Sequence, residues 1–190
     1  GLYHLLEMVD IERILQSEND YDSELFRKTS LRTKLAGVAE HVPGTATTVD
    51  IPCFRTHILG RGPQTDVNNR SLVVRIDYGS TSFLFTGDIE SEVEQFIVGK
   101  MRSVLSVDVI KVPHHGSRTS SSLAFVRSIQ SQKNLPFAVI SFASNNRFGL
   151  PDEEIVDRWR EMPARVLTTA SEGAVWLQSD GRAVHRIHWR

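Results

Sequence analysis

The stretch IKVPHHGSRTSSS, residues 110–122, sets His114, His115 and Gly116 directly behind a short apolar run with strand character. A second run of this kind, SFLFTGD, delivers Asp88 immediately after Gly87. The segment DVNNRS brings Asn68 and Asn69 to the start of a third. Layered α/β folds gather polar side chains where strands leave the sheet, so these residues are candidates for one shared rim. A carboxylate and an imidazole meeting there are ligand types for zinc, manganese or iron. Each feature alone has a plainer reading. Gly-Asp after a strand is an ordinary turn, and two histidines at a strand end suit a capped core residue beside a surface one. Ser117, Thr119 and Ser120 suit helix N-caps, and Asn68 and Asn69 are turn formers. The order of the pieces is harder to obtain by accident than any single piece.

The elements that would position these residues follow from periodicity. GLYHLLEMV has helical spacing, IERILQS reads as a short strand or a helix end, and SLRTKLAGVAEHV, residues 30–42, has helical spacing closed by Pro43 and Gly44. Beyond residue 45 the period shortens. FRTHILG, SLVVRID, SFLFTGD, VDVIKVP, FAVISFA, ARVLTTA, GAVWLQS and AVHRIHW are β-branched and aromatic runs, most of them bounded by Gly, Asp, Asn or Pro. DYGSTS is the loop of a hairpin. Helices are expected over SEVEQFIVGKMRSVL, SSSLAFVRSIQSQ and PDEEIVDRWREM, the last with Pro151 at its start and acids in its first turn. Mixed strands and helices predict an α/β sandwich.

At 190 residues and 40% hydrophobic content, the chain is sized for one domain spanning 1–190. No run approaches the roughly 20 apolar residues of a membrane span. A net charge of −1 excludes a uniformly basic nucleic-acid binder but leaves room for a local patch. Arg70, Arg118 and Arg147 flank the three rim motifs, and arginine's planar fork suits phosphate; solvated surface charge is the plainer reading. A single cysteine, Cys53, rules out an internal disulfide and a cysteine-rich zinc cage.

The succession Asn-Asn, strand, hairpin, strand, Gly-Asp, helix, strand, His-His-Gly-Ser, helix resembles the metallo-β-lactamase superfamily. Within it, the likeness is to the hydrolase-like C-terminal domain of ComEC-type competence proteins. It runs from about Asn68 to the C-terminus and is sharpest in NNRSLVVRIDYGSTSFLFTGDIE, DVIKVPHHGSRTSSS, NNRFGLP and TTASEGAVWL. The resemblance implies an αββα sandwich with a site for two divalent ions, zinc or manganese. Asp88 would be a metal ligand able to bridge both ions, and His115 a second ligand. His114 would contact a scissile phosphate or donate a proton. Asn68 best fits the place where many relatives have a third-motif histidine, with Asn69 second and otherwise a substrate contact.

The departures are equally specific. The superfamily's His-x-His-x-Asp-His segment, or His-x-Asp-x-Asp-His in ComEC-like members, occurs nowhere in the 190 residues. GLYHLLEMV resembles the helix that follows that segment, so the chain is expected to be an N-terminally incomplete domain. His4 does not substitute, and Leu150-Pro151 stands where many relatives have His-Pro.

The resemblance implies phosphodiester hydrolysis, with a single DNA strand as substrate and degradation of one strand during uptake. Ser117, Thr119, Arg118 and the backbone N–H groups opening the next helix would hold phosphate oxygens. The parent protein would be embedded in a bacterial inner membrane, with this domain facing the periplasm or exterior; the alternative is cytoplasmic. A non-catalytic domain of the same fold, binding nucleic acid or a partner protein, is the reading from another class. A lactone, thioester or amide substrate is the third.

Overall fold

The computed structural model describes residues 2–17, 23–44, 46–59, 66–130 and 135–188. It divides into two compact units, Gly1–Gly44 and Thr45–Arg190. In the first unit, α1 (Leu2–Met8) and α2 (Glu24–Leu35) accompany a parallel pair, β1 (Arg13–Leu15) and β2 (Ala39–His41). Ser23 caps α2 by accepting from the Phe26 N–H. The helix expected over 30–42 therefore starts earlier and stops at Leu35. Residues 39–41 are instead recruited as a strand by β1, a non-local pairing that helical spacing at Val38 and Val42 does not reveal.

The second unit is built on a seven-stranded sheet in the order β3 (Thr47–Ile51), β4 (Phe54–Ile58), β5 (Val74–Tyr78), β6 (Thr81–Phe85), β7 (Val109–Lys111), β8 (Phe137–Ile140), β9 (Arg165–Thr168). The first four strands pair antiparallel. From β6 onward the pairing is parallel, with α3 (Ser91–Lys100), α4 (Leu123–Ser128) and α5 (Glu153–Glu161) in the crossovers. A short α6 (Thr169–Glu172) leads to the antiparallel hairpin β10 (Trp176–Ser179) and β11 (Val184–Ile187).

Period-2 alternation sorts the central strands into two faces. Ile110, Val112, Ala138 and Ile140 point into a core shared with Val93, Ile97, Phe125, Ile155 and Trp159 from the helices. Val109, Phe137 and Leu167 point the other way, against Val175, Leu177 and Val184 of the small hairpin sheet. Full burial of a Val, Leu, Ile or Phe side chain stabilises by roughly 1.5–3 kcal/mol. The unit is thus a mixed α/β fold with a large central sheet between a helical layer and a second sheet. The hairpin expected around DYGSTS is present, with Tyr78 paired to Thr81.

Candidate metal and phosphate site

Two adjacent parallel strands bring the principal residues together. Phe85 of β6 pairs with Lys111 of β7, so three residues beyond the first and four beyond the second the chain reaches Asp88 and His115 at the same rim. Ile89, fully buried, anchors the exit of β6 in the core and turns its neighbours Asp88 and Glu90 outward. Thr86 Oγ1 donates to the Lys111 carbonyl at 2.8 Å, and His114 N–H donates to the Gly87 carbonyl at 3.2 Å, which ties the two strand ends together. Gly87 has φ +60°, and a Cβ there would fall 2.6 Å from Ser71 Cβ. That crowding matters because Ser71 Oγ accepts the Asp88 N–H at 3.0 Å. Glycine is what lets the backbone pass close to Ser71 and aim Asp88.

On the other strand the turn is stranger. His114 (φ 45°, ψ 43°) and His115 (φ 54°, ψ 21°) both lie in the left-handed region, followed by Gly116 at φ 80°. Each non-glycine residue there costs of the order of 1 kcal/mol, and such strain collects at functional sites.

The result is two carboxylate–imidazole pairs side by side. His115 Nε2 lies 3.5 Å from Asp88 Oδ1, and both side chains are about 40% exposed. The other ring nitrogen, Nδ1, is 2.6 Å from the Ser141 carbonyl, to which it donates, and this bond turns Nε2 toward Asp88. His114 Nδ1 lies 3.3 Å from Glu90 Oε1. That same carboxylate oxygen accepts from Thr119 Oγ1 at 3.0 Å and from Asn68 Nδ2 at 3.3 Å. Glu90, Lys111 and Ser141 are absent from the expectations above. Glu90 had a signal, two residues past Asp88, and Lys111 is the lone charge in an apolar strand; only the fold reveals Ser141.

Lys111 Nζ lies 3.7 Å from Asp88 Oδ1 and donates to the Gly87 carbonyl at 3.0 Å. Burial pushes this ammonium below its ordinary value, and the neighbouring Asp88 opposes that shift. A cation therefore already stands beside the oxygen that a metal would use.

Other expected site residues are placed differently. Asn68 is engaged with Glu90. Asn69 is 2% exposed, its Nδ2 donating to Asp66 and its Oδ1 accepting the Glu90 N–H at 2.8 Å; the side chain fastens two loops beneath the rim and cannot reach a substrate. Arg118 binds Asp152 through its backbone N–H, Nε and an Nη. Thr119 is exposed and Ser117 half-buried, their hydroxyls 3.2 Å apart. The N–H groups expected to face phosphate at the next helix are taken: Ser121 and Ser122 donate to the fully buried Glu94 carboxylate. Burial raises that carboxyl above its ordinary value against these hydrogen bonds. A side chain from α3, distant in sequence, fills that role.

By ligand type and by the Nδ1 bond that orients His115, Asp88 and His115 fit one edge of a divalent-metal site. Among the described residues, no group of three or more His, Cys, Asp or Glu side chains is arranged to hold a metal ion. A catalytic zinc commonly has three protein ligands, so this pair does not complete a site by itself.

No protein-family model matches the chain. It is 34% identical over 115 residues, 60% of its length, to ComE operon protein 3 of Bacillus subtilis. It is also 34% identical over 132 residues, 66% of its length, to competence protein ComA of Neisseria gonorrhoeae. The matched stretches are 14% and 18% of those relatives, so the chain spans less than a fifth of their length. A crystal structure of a candidate metal-dependent hydrolase from Parabacteroides distasonis superposes with a TM-score of 0.48 at 11% identity, covering 83% of this chain and 75% of that one. The likeness to competence proteins read from the motifs holds over about three fifths of the chain.

Proposed function

We propose that this chain, similar over most of its length to a segment of competence proteins, is part of a metal-dependent phosphodiester hydrolase that degrades one strand of DNA during uptake. The observation that carries the reading is the Asp88–His115 pair, with Nε2 turned toward the carboxylate by the bond from Nδ1 to Ser141. A divalent metal bound there would lower the pKa of a coordinated water and offset charge on phosphoryl oxygens. Asp88 and His115 would hold it. His114, oriented by Glu90, sits one residue away, where an imidazole can hydrogen-bond a phosphoryl oxygen or supply a proton to the departing one. Ser117 offers a hydroxyl donor on the same loop, while the Thr119 hydroxyl proton is given to Glu90. In the parent protein this part would face the periplasm or exterior of an inner-membrane protein. Among the described residues, no helix is long and apolar enough to cross a membrane.

Substrate class is tested by offering the product of the complete reading frame bis(p-nitrophenyl) phosphate, a lactone and a thioester in parallel with manganese or zinc. Turnover of the phosphodiester alone supports the reading. Turnover of an acyl substrate alone would move it to the acyl hydrolases that share this fold class.

A second reading, a non-catalytic domain that binds nucleic acid or a partner, is favoured by one contact: the Lys111 ammonium 3.7 Å from Asp88 Oδ1 neutralises that carboxylate without a metal.

A further inference from the structure

Beside the Asp88–His115 pair lies a pocket of about 320 Å³, lined by His115, Ser141, Phe142, Asn146, Phe148 and Leu150 among others. That volume is at the small end of ligand sites and suits one nucleoside-sized group. Its walls are of two kinds. Phe142, Phe148 and Leu150 are apolar, whereas His115, Ser141 and Asn146 carry polar atoms.

Phe148 is 69% exposed. An isolated exposed aromatic needs no explanation, but this one is displayed on a braced loop. Asn146 Nδ2 donates to the Ala143 and Leu150 carbonyls at 2.9 and 2.7 Å, and its Oδ1 accepts the Phe148 and Leu150 N–H groups at 3.1 Å each. The Arg147 guanidinium lies 4.8 Å over the Phe148 ring. One loop thus offers an aromatic ring, with a cation over it, to a pocket that the candidate metal ligand His115 also lines. Stacking surface, cation and pocket are the three components that hold an unpaired nucleotide. A paired base inside a duplex has no face to offer such a ring.

We propose that this pocket is a nucleobase subsite in which Phe148 stacks on an unpaired base next to the scissile phosphate, so that the site selects single-stranded over duplex DNA. The inference rests on the phosphodiesterase reading and adds the group that would fix strand preference.

The test is binding by fluorescence anisotropy at low salt without added divalent metal. It uses the 190-residue chain, a labelled oligo(dT), and an abasic oligomer of equal length. Wild type is expected to prefer oligo(dT) roughly tenfold, within the usual worth of one base–aromatic stack. Phe148→Ala should lose that preference with abasic binding unchanged, and Phe148→Trp should keep it, with indole fluorescence quenched by oligo(dT) alone. A Phe148→Ala protein with the full preference overturns the inference, as does equal wild-type affinity for the two oligomers; in both cases the phosphodiesterase reading stands. Wild type that binds neither oligomer overturns the inference, while the phosphodiesterase reading is decided separately by phosphodiester turnover with metal.

Discussion

His115 Nε2 and Asp88 Oδ1 stand 3.5 Å apart although 27 positions separate the residues in sequence, and the parallel register of β6 and β7 is what joins them. The aim of each side chain then depends on local backbone. Asp88 depends on Gly87, and His115 on a left-handed turn braced by Ser141.

Gly87→Ala should therefore cost more than a surface substitution. The new Cβ meets Ser71 Cβ at 2.6 Å and Oγ at 2.8 Å, at a φ that β-carbons disfavour. A loss of roughly 1–3 kcal/mol in denaturant unfolding is expected, with displacement of Asp88 as its Ser71 bond shifts. Unchanged stability would show that the strand exit has room to relax.

Lys111→Met keeps the aliphatic stem and removes the charge facing Asp88. Two unit charges near 4 Å interact by roughly 4 kcal/mol at an effective dielectric of 20, and less where, as here, both groups are partly exposed. Manganese affinity by isothermal titration calorimetry should rise about tenfold, which corresponds to about 1.4 kcal/mol. Affinity that is unchanged or weaker would mean that metal does not use this carboxylate.

Much of this was legible in the sequence because it is local. The Tyr78–Thr81 hairpin, Gly87-Asp88 and the tandem histidines each follow a β-branched run, and the shared rim expected for Asp88 and His115 is supplied by the non-local parallel pairing of β6 and β7. What escaped is non-local. Ala39–His41 is a strand only because β1 pairs with it, and β3, rich in threonine, is defined by its ladder with β4. Glu94 at the start of α4, the burial of Asn69 and the Ser141 brace depend on partners 21–28 residues away. The left-handed conformation of two consecutive histidines has no composition signature.

The loop carrying Ser117 and Thr119 should loosen in acid. Asp152 is held below the ordinary carboxylate range, first by the Arg118 side chain and then by the Arg118 N–H. Because the folded value is depressed, its contribution is present above the ordinary value, near 3.8, and is lost as pH falls through the folded value. Hydrogen exchange across residues 116–120 should accelerate over that window in wild type. Asp152→Asn should remove the pH dependence there, and a wild-type profile flat from pH 5 to about 2 would contradict the assignment.

The central claim is that Asp88 and His115 serve metal-dependent cleavage of a phosphodiester. It is tested most directly by gel assay of labelled single-stranded DNA with the product of the complete reading frame, with and without manganese or zinc, against Asp88→Ala and His115→Ala. Both variants should lose about a hundredfold or more in rate with unfolding midpoints near wild type, since both side chains are substantially exposed. Cleavage that persists in Asp88→Ala, or that ignores chelator in a preparation free of contaminating nuclease, would contradict the account.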